Sequence, residues 1–127
     1  VWDYEWIKAG SHYRFSHEFI IYGTKTENGK RLFSPSERDV WREKPINFTD
    51  SKKWHQAEKP EKLIEQMIRN SSSEGDLVLD TFIGSGTTAI VCKKLKRNFI
   101  GFEINSETFK IAAKRIQNEI AVQTFNF

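Results

Sequence analysis

The sequence predicts an α/β fold that opens as a doubly wound parallel sheet, and three observations in its second half carry that prediction. Leu77-Val78-Leu79 is a short apolar run ending at Asp80 and reads as a buried strand. A glycine-containing turn, Ile83 to Gly86, leads into a helical stretch from Thr87 to Leu95. Asn98 to Phe102 is a second strand candidate that ends at Glu103 and is followed by another helix. Strand, glycine turn, helix, strand and helix, in that order, begin a parallel sheet whose ligands lie at the strand C-terminal ends.

Taken from the start, the first third is rich in aromatic and polar residues. Phe19-Ile20-Ile21-Tyr22 reads as a strand ended by Gly23. Thr26 to Lys30, with Asn28-Gly29, reads as a turn, and Arg31-Leu32-Phe33 as a returning strand. Ser34 to Ser51 has no sustained period, holds Pro35 and Pro45, and reads as loop. The division expected is residues 1–54, strands and a loop, and residues 55–127, an α/β segment, together one incomplete domain. Pro60 suits the first turn of a helix, where its missing N–H costs nothing, and Leu63, Ile64, Met67 and Ile68 give that helix an apolar face. Asn70 to Gly75 is polar and ends it. Lys93, Lys94, Lys96 and Arg97 cluster near the end of the next helix, where cations complement the backbone dipole; the competing reading is contact with phosphate. Asn105 or Ser106 can cap the last helix, with Glu107 in its first turn and Phe109, Ala112, Ala113, Ile116 and Ile120 on its inner face.

Composition narrows the function classes. Hydrophobic residues at 38% and aromatics at 13% supply a small core, which argues against wholesale disorder. No apolar run is long enough to cross a bilayer, and Val1-Trp2-Asp3-Tyr4-Glu5-Trp6 has no signal-peptide pattern, so a cytoplasmic protein is expected. The single cysteine, Cys92, excludes a disulfide framework and reads as a small core residue. His12, His17 and His55 stand in no metal-ligand spacing, so no metal is expected. The net charge of +3 is compatible with a nucleic-acid partner without requiring one.

The chemistry concentrates between Leu77 and Glu103. Gly84 permits a tight turn, Gly86 lets a ligand approach the backbone, and Ala89 lets helix and strand pack closely. This spacing also satisfies a dinucleotide fingerprint, with Glu103 placed for ribose hydroxyls. Two cofactor classes therefore compete. A dinucleotide would set its pyrophosphate on the helix start. S-adenosylmethionine would set its amino-acid end near the turn, where its ammonium needs a carboxylate. Asp80, directly before the turn, favours the second and would sit poorly beside a pyrophosphate; its competing reading is a turn-initiating Asp bonded to its own backbone. Phe82 offers a flat apolar surface, or else an ordinary core aromatic. Ser85, Thr87 and Thr88 can cap the helix.

Asp80-Thr81-Phe82-Ile83-Gly84-Ser85-Gly86-Thr87-Thr88 closely resembles the D-P-F-x-G-S-G-T-T signature of the N4-cytosine and N6-adenine DNA methyltransferases. His55-Gln56-Ala57-Glu58-Lys59-Pro60, followed by Leu63, resembles the H-P-x-[EQ]-K-P-x-x-L segment that precedes that signature. Gly101-Phe102-Glu103-Ile104 resembles the next motif, and Trp6-Ile7-Lys8 and His17-Glu18-Phe19-Ile20-Ile21-Tyr22 look like the strands that follow the family's catalytic segment. Thr81 replaces the usual Pro, which loosens the turn, and Gln56 and Ala57 replace Pro and often Thr.

The resemblance implies a partial Rossmann-like sheet of the S-adenosylmethionine-dependent methyltransferase type, in the circularly permuted class whose catalytic half comes first. It assigns cofactor binding to Lys59, Asp80, Phe82, Gly84, Ser85, Gly86, Thr87 and Glu103. Lys59 and Asp80 would serve the methionine end and Glu103 the ribose. It implies double-stranded DNA as partner, with the target base flipped out of the stack. The loop from Ser34 to Ser51 lies where the family places target recognition, and Arg38, Arg42, Lys44, Lys52 and Lys53 are candidate phosphate contacts. The family's catalytic tetrapeptide, [DNS]-P-P-[YFW], has no counterpart, since Pro35, Pro45 and Pro60 are isolated; no catalytic residue is assigned, and a catalytic half elsewhere is the further partner implied. The alternatives are an inactive remnant or cofactor-binding subunit, a dinucleotide-dependent oxidoreductase, and a methyltransferase acting on RNA or protein.

Overall fold

The computed structural model describes residues 1–3, 5, 16–25, 38–46 and 58–124. The expected turn and strand at 26–33, Trp6-Ile7-Lys8, most of the 34–51 loop, Lys52, Lys53, Trp54, His55 to Ala57 and the Ile120 side chain fall outside the described residues.

A small sheet comes first in the chain. It contains β1 (Trp2–Asp3), β2 (His17–Glu18) and β3 (Trp41–Arg42), in the order β2-β1-β3. β1 pairs antiparallel with β2 and parallel with β3. The expected strand at Phe19–Tyr22 is displaced to His17–Glu18. The register sets Trp2 opposite Glu18 and Asp3 opposite His17, and among the described residues the pairing of β1 with β2 does not extend to Ile20 and beyond. Phe19 and Ile21 are accordingly exposed. Trp2 is buried, and its indole N–H donates to the Glu43 carbonyl at 2.7 Å; the Trp41 indole donates to the Arg38 carbonyl at 2.8 Å. Both tryptophans are anchors within the fold.

α1 (Glu61–Ser71) starts one residue later than expected. Pro60 is its N-cap, and the Pro60 carbonyl accepts from the Leu63 and Ile64 amides. The helix continues through Asn70 and Ser71 because the Ser71 and Ser72 hydroxyls donate back to the Met67 and Ile68 carbonyls, closing its last turn. Its apolar residues divide between two neighbours. Leu63 and Met67 pack with Trp2, Ile20 and Trp41, whereas Ile64 and Ile68 pack with Val78, Val91, Cys92, Leu95 and Phe99.

The second sheet pairs β4 (Leu77–Asp80) parallel to β5 (Asn98–Gly101), with α2 (Thr87–Lys94) as the crossover. The sequence expectation for these elements holds to within a residue. Alternation puts Val78 and Phe99 against α1 and α2 and turns Leu77, Leu79 and Ile100 outward, where they are exposed. Cys92 is fully buried, and burial pushes its thiol pKa up despite the counteracting charge of Arg97. The basic cluster is largely occupied within the chain: Lys94 pairs with Glu61, Lys96 with Glu74, and Arg97 donates to Ser72 and to the Leu95 carbonyl. Lys93 lies 6.0 Å over the Phe99 ring.

α3 (Ser106–Thr124) is capped as expected, with the Asn105 side-chain oxygen accepting from the Glu107 and Thr108 amides at 3.0 Å. Its inner face differs from expectation. Ala112 and Arg115 are buried, Ala113 and Ile116 are half-buried, and Phe109 is exposed. Arg115 turns inward beneath the glycine turn, where it meets the buried Glu58 carboxylate and the half-exposed Glu61.

Candidate functional site

The register of β4 and β5 builds the site. Asp80 lies opposite Gly101, so the residues after both strands emerge at one edge. The Phe102 amide donates to the Asp80 carbonyl at 3.0 Å, and the Ile83 amide to the Phe102 carbonyl at 2.9 Å, tying the turn across the strand ends. A Cβ on Gly101 would run into the Ile83 side chain, so only glycine lets the turn fold over this strand.

Asp80 makes two bonds. One carboxylate oxygen accepts from the Phe82 amide at 3.0 Å, and the other accepts from the Thr88 hydroxyl at 2.5 Å. It is thus a turn-forming Asp, and its anchored oxygens still carry lone pairs for a ligand. Glu103 behaves alike: one oxygen accepts from the Gly84 amide at 3.1 Å and the other from the Asn105 amide at 2.9 Å. The Gly86 amide donates to the Ile83 carbonyl at 2.9 Å. Four amides around the turn, those of Phe82, Ile83, Gly84 and Gly86, are therefore spent inside the protein, and two carboxylates flank it.

Phe82 is 88% exposed, which excludes the core-aromatic reading, and Phe102 and Ile104 add apolar surface beside it. Ser85 and Thr87 are buried. They do not cap α2, whose N-cap is the side-chain-free Gly86; their hydroxyls accept instead from Arg115, at 3.4 and 3.2 Å. Lys59 is held elsewhere than the turn, with its ammonium 2.8 Å from a Glu18 carboxylate oxygen and 5.0 Å from the Trp2 ring centroid. The structure thus gathers Asp80, Phe82, Gly84, Ser85, Gly86, Thr87 and Glu103 at one edge and ties Lys59 to the small sheet.

Three residues at the site escaped the sequence reading: Thr88 as a partner of Asp80, Glu58 and Arg115. Thr88 belongs to the signature already recognised, so a helical turn placing it above Asp80 was the available signal. Glu58 stands at the [EQ] position of the segment before α1, which was the available signal, whereas nothing in the local sequence marks Arg115.

The arrangement suits one kind of ligand. A pyrophosphate needs open amides and tolerates no flanking carboxylates, and this turn offers neither condition at its glycines. An ammonium and a pair of hydroxyls beside an apolar ring match two anchored carboxylates and the exposed Phe82, Phe102 and Ile104.

Comparisons with known proteins agree. The family model for N6/N4 DNA methylases matches residues 2–114. Over 96 residues the chain is 43% identical to the type II methyltransferase M.HpaI of Haemophilus parainfluenzae, covering 75% of this chain and 30% of that protein. Over 122 residues it is 36% identical to the type II methyltransferase M2.DpnII of Streptococcus pneumoniae, covering 94% of this chain and 41% of that protein. The crystal structure of the M1.HpyAVI–SAM complex superposes with a TM-score of 0.56 at 36% identity, over 68% of this chain and 43% of that one. The chain thus spans well under half the length of these relatives.

Proposed function

The chain belongs to the N6/N4 DNA methylase family, and from that premise we propose that it is the cofactor-binding part of a DNA methyltransferase that moves a methyl group from S-adenosylmethionine to an exocyclic amino nitrogen of adenine or cytosine. The observation that carries the proposal is the glycine turn itself, where the amides of Phe82, Ile83, Gly84 and Gly86 are internally bonded and the flanks are carboxylates. Asp80 would receive the cofactor's ammonium, Glu103 its ribose hydroxyls, and Phe82 a face of its apolar surface. Gly84, Ser85, Gly86 and Thr87 form the floor. Lys59 would reach the methionine carboxylate only by leaving Glu18.

S-adenosylmethionine brings a methyl group already activated for transfer, so the protein's contribution is positioning. The groups that hold the target base belong to the catalytic half, which we propose as partner in the same or another chain. The bare side of the β4–β5 sheet supports this, since parallel strands are ordinarily covered on both faces. Double-stranded DNA with a flipped base is the proposed substrate, with 1–54 on the target-recognition side and 55–127 holding the cofactor. Among the described residues no helix is long and apolar enough to cross a membrane, and the cytoplasm, where DNA and cofactor meet, is the proposed location.

Equilibrium dialysis of the chain, kept soluble by a carrier protein, against labelled S-adenosylmethionine tests the reading. Saturable retention, undiminished by excess NAD and weakened about tenfold or more by Asp80→Asn, is the expected result. Retention displaced by NAD would instead support the dinucleotide alternative.

A further inference from the structure

Arg115 is a guanidinium that the cofactor reading does not use, yet it lies directly beneath the turn. Its side chain is only 9% exposed, and its Nη1 stands 2.6 Å from a Glu58 oxygen whose side chain is 2% exposed. A buried ion pair of this kind needs further hydrogen bonds for the remaining guanidinium protons, and where those bonds go decides what the arginine holds together. The second hydrogen of the same nitrogen is shared among the Thr87 hydroxyl at 3.2 Å, the Ser85 hydroxyl at 3.4 Å and the Ser85 carbonyl at 3.5 Å, while Nη2 donates to Glu61 at 2.9 Å. The planar fork thus spans the segment before α1, the first turn of α1, and the glycine turn at the start of α2, from a position on α3.

We propose that Arg115 is a positioning residue for the methionine end of the cofactor pocket, a strut that sets the separation between Glu58-Lys59-Pro60 and Ser85-Gly86-Thr87. This rests on the cofactor reading above. Lys59 follows Glu58 directly, and Thr88, which follows Thr87, holds a carboxylate oxygen of Asp80. Lys59 is therefore one residue from an Arg115 contact, and Asp80 is held by the hydroxyl of a residue that is too. The nucleoside end depends on Glu103, which is held at one oxygen by the Gly84 amide, beside Ser85, and at the other by the Asn105 amide, away from every Arg115 contact. Loosening the strut should accordingly weaken the grip on the methionine moiety more than the grip on the nucleoside.

A lysine at this position keeps the charge opposite Glu58 but cannot span both segments, and the pair Ser85→Ala with Thr87→Val removes the turn's hydroxyls while leaving Arg115 on Glu58. Affinities of these variants are measured for S-adenosylmethionine and for 5′-methylthioadenosine, which lacks the amino-acid end. Expected is a loss of about tenfold for the first ligand in both variants, with a clearly smaller loss for the second. Equal losses for both ligands, or an Arg115→Lys variant that binds both as the parent does, would overturn the strut. Amide exchange of the ligand-free chain gives a reading independent of binding. Arg115→Lys should speed exchange at Gly86 to Thr88 and leave the middle of α1 as in the parent; unchanged exchange at the turn overturns the proposal. Should the parent chain bind neither ligand, the cofactor reading fails while exchange still decides on the strut.

Discussion

Gly86 holds φ at +88°, and a Cβ built on it would lie 3.3 Å from the Ala112 Cβ on α3. Two penalties therefore meet at one atom, a left-handed backbone and a crowded neighbour, and neither has a flexible side-chain end to absorb it. Gly86→Ala should cost about 1–2 kcal/mol, seen as a lower urea midpoint with an unchanged slope; an unmoved midpoint would contradict this account of the turn. Asp80 and Glu103 were legible in the sequence because each ends a strand, and strand ends are where this class of sheet binds ligands. Arg115, and its pairing with the motif residue Glu58, were not legible. A charged residue is read as solvated by default, and only the folded chain brings α3 beside the segment before α1. Their 2.6 Å contact is a fact of tertiary structure with no local trace.

At the scale of elements, β4, α2 and β5 were readable because a short apolar run, a glycine turn and a second apolar run have few ways to pair. The inner face of the last helix was read in part: Ala112 is buried and Ala113 and Ile116 half-buried as expected, but Phe109 lies outside and Arg115 turns inward, because leaving the buried Glu58 carboxylate without a cation costs more than leaving one phenylalanine in water. Phe19 to Tyr22 read as a strand on propensity, but a strand also needs a neighbour in register, and among the described residues the ladder with β1 ends at His17–Glu18. The contact between α1 and α2 carries a pH signature. Burial pushes the Glu61 carboxyl pKa up, but the Lys94 ammonium at 2.6 Å, together with Arg115, pulls it further down, to a net value below the ordinary one. A carboxyl with a lower pKa folded than unfolded favours folding above its unfolded pKa. It surrenders that contribution as the pH falls through its folded value. Thermal midpoints followed from neutral to acidic pH should therefore fall less steeply for Glu61→Gln than for the parent chain; parallel curves would show that Glu61 contributes nothing to the acid response.

For the molecule as a whole, two small sheets meet across α1, and no strand joins them among the described residues. One side of the parallel pair is covered by α1 and α2. The other presents Leu77, Leu79 and Ile100 to solvent, continuing at the strand ends into Phe82 and Phe102. An apolar face of this kind marks a surface made to be covered, as expected of a chain that spans 30% and 41% of the lengths of two of its relatives. The ligand edge, by contrast, is assembled from this chain's own residues, so its central property is testable without the covering part. Hydrogen exchange followed residue by residue, with and without S-adenosylmethionine and in parallel with NAD, tests it most directly. The predicted result is slowed exchange confined to 80–88 and 103–105 with S-adenosylmethionine and none with NAD. Protection by NAD at the same amides, or no change there when the methyl donor is saturating, would contradict it.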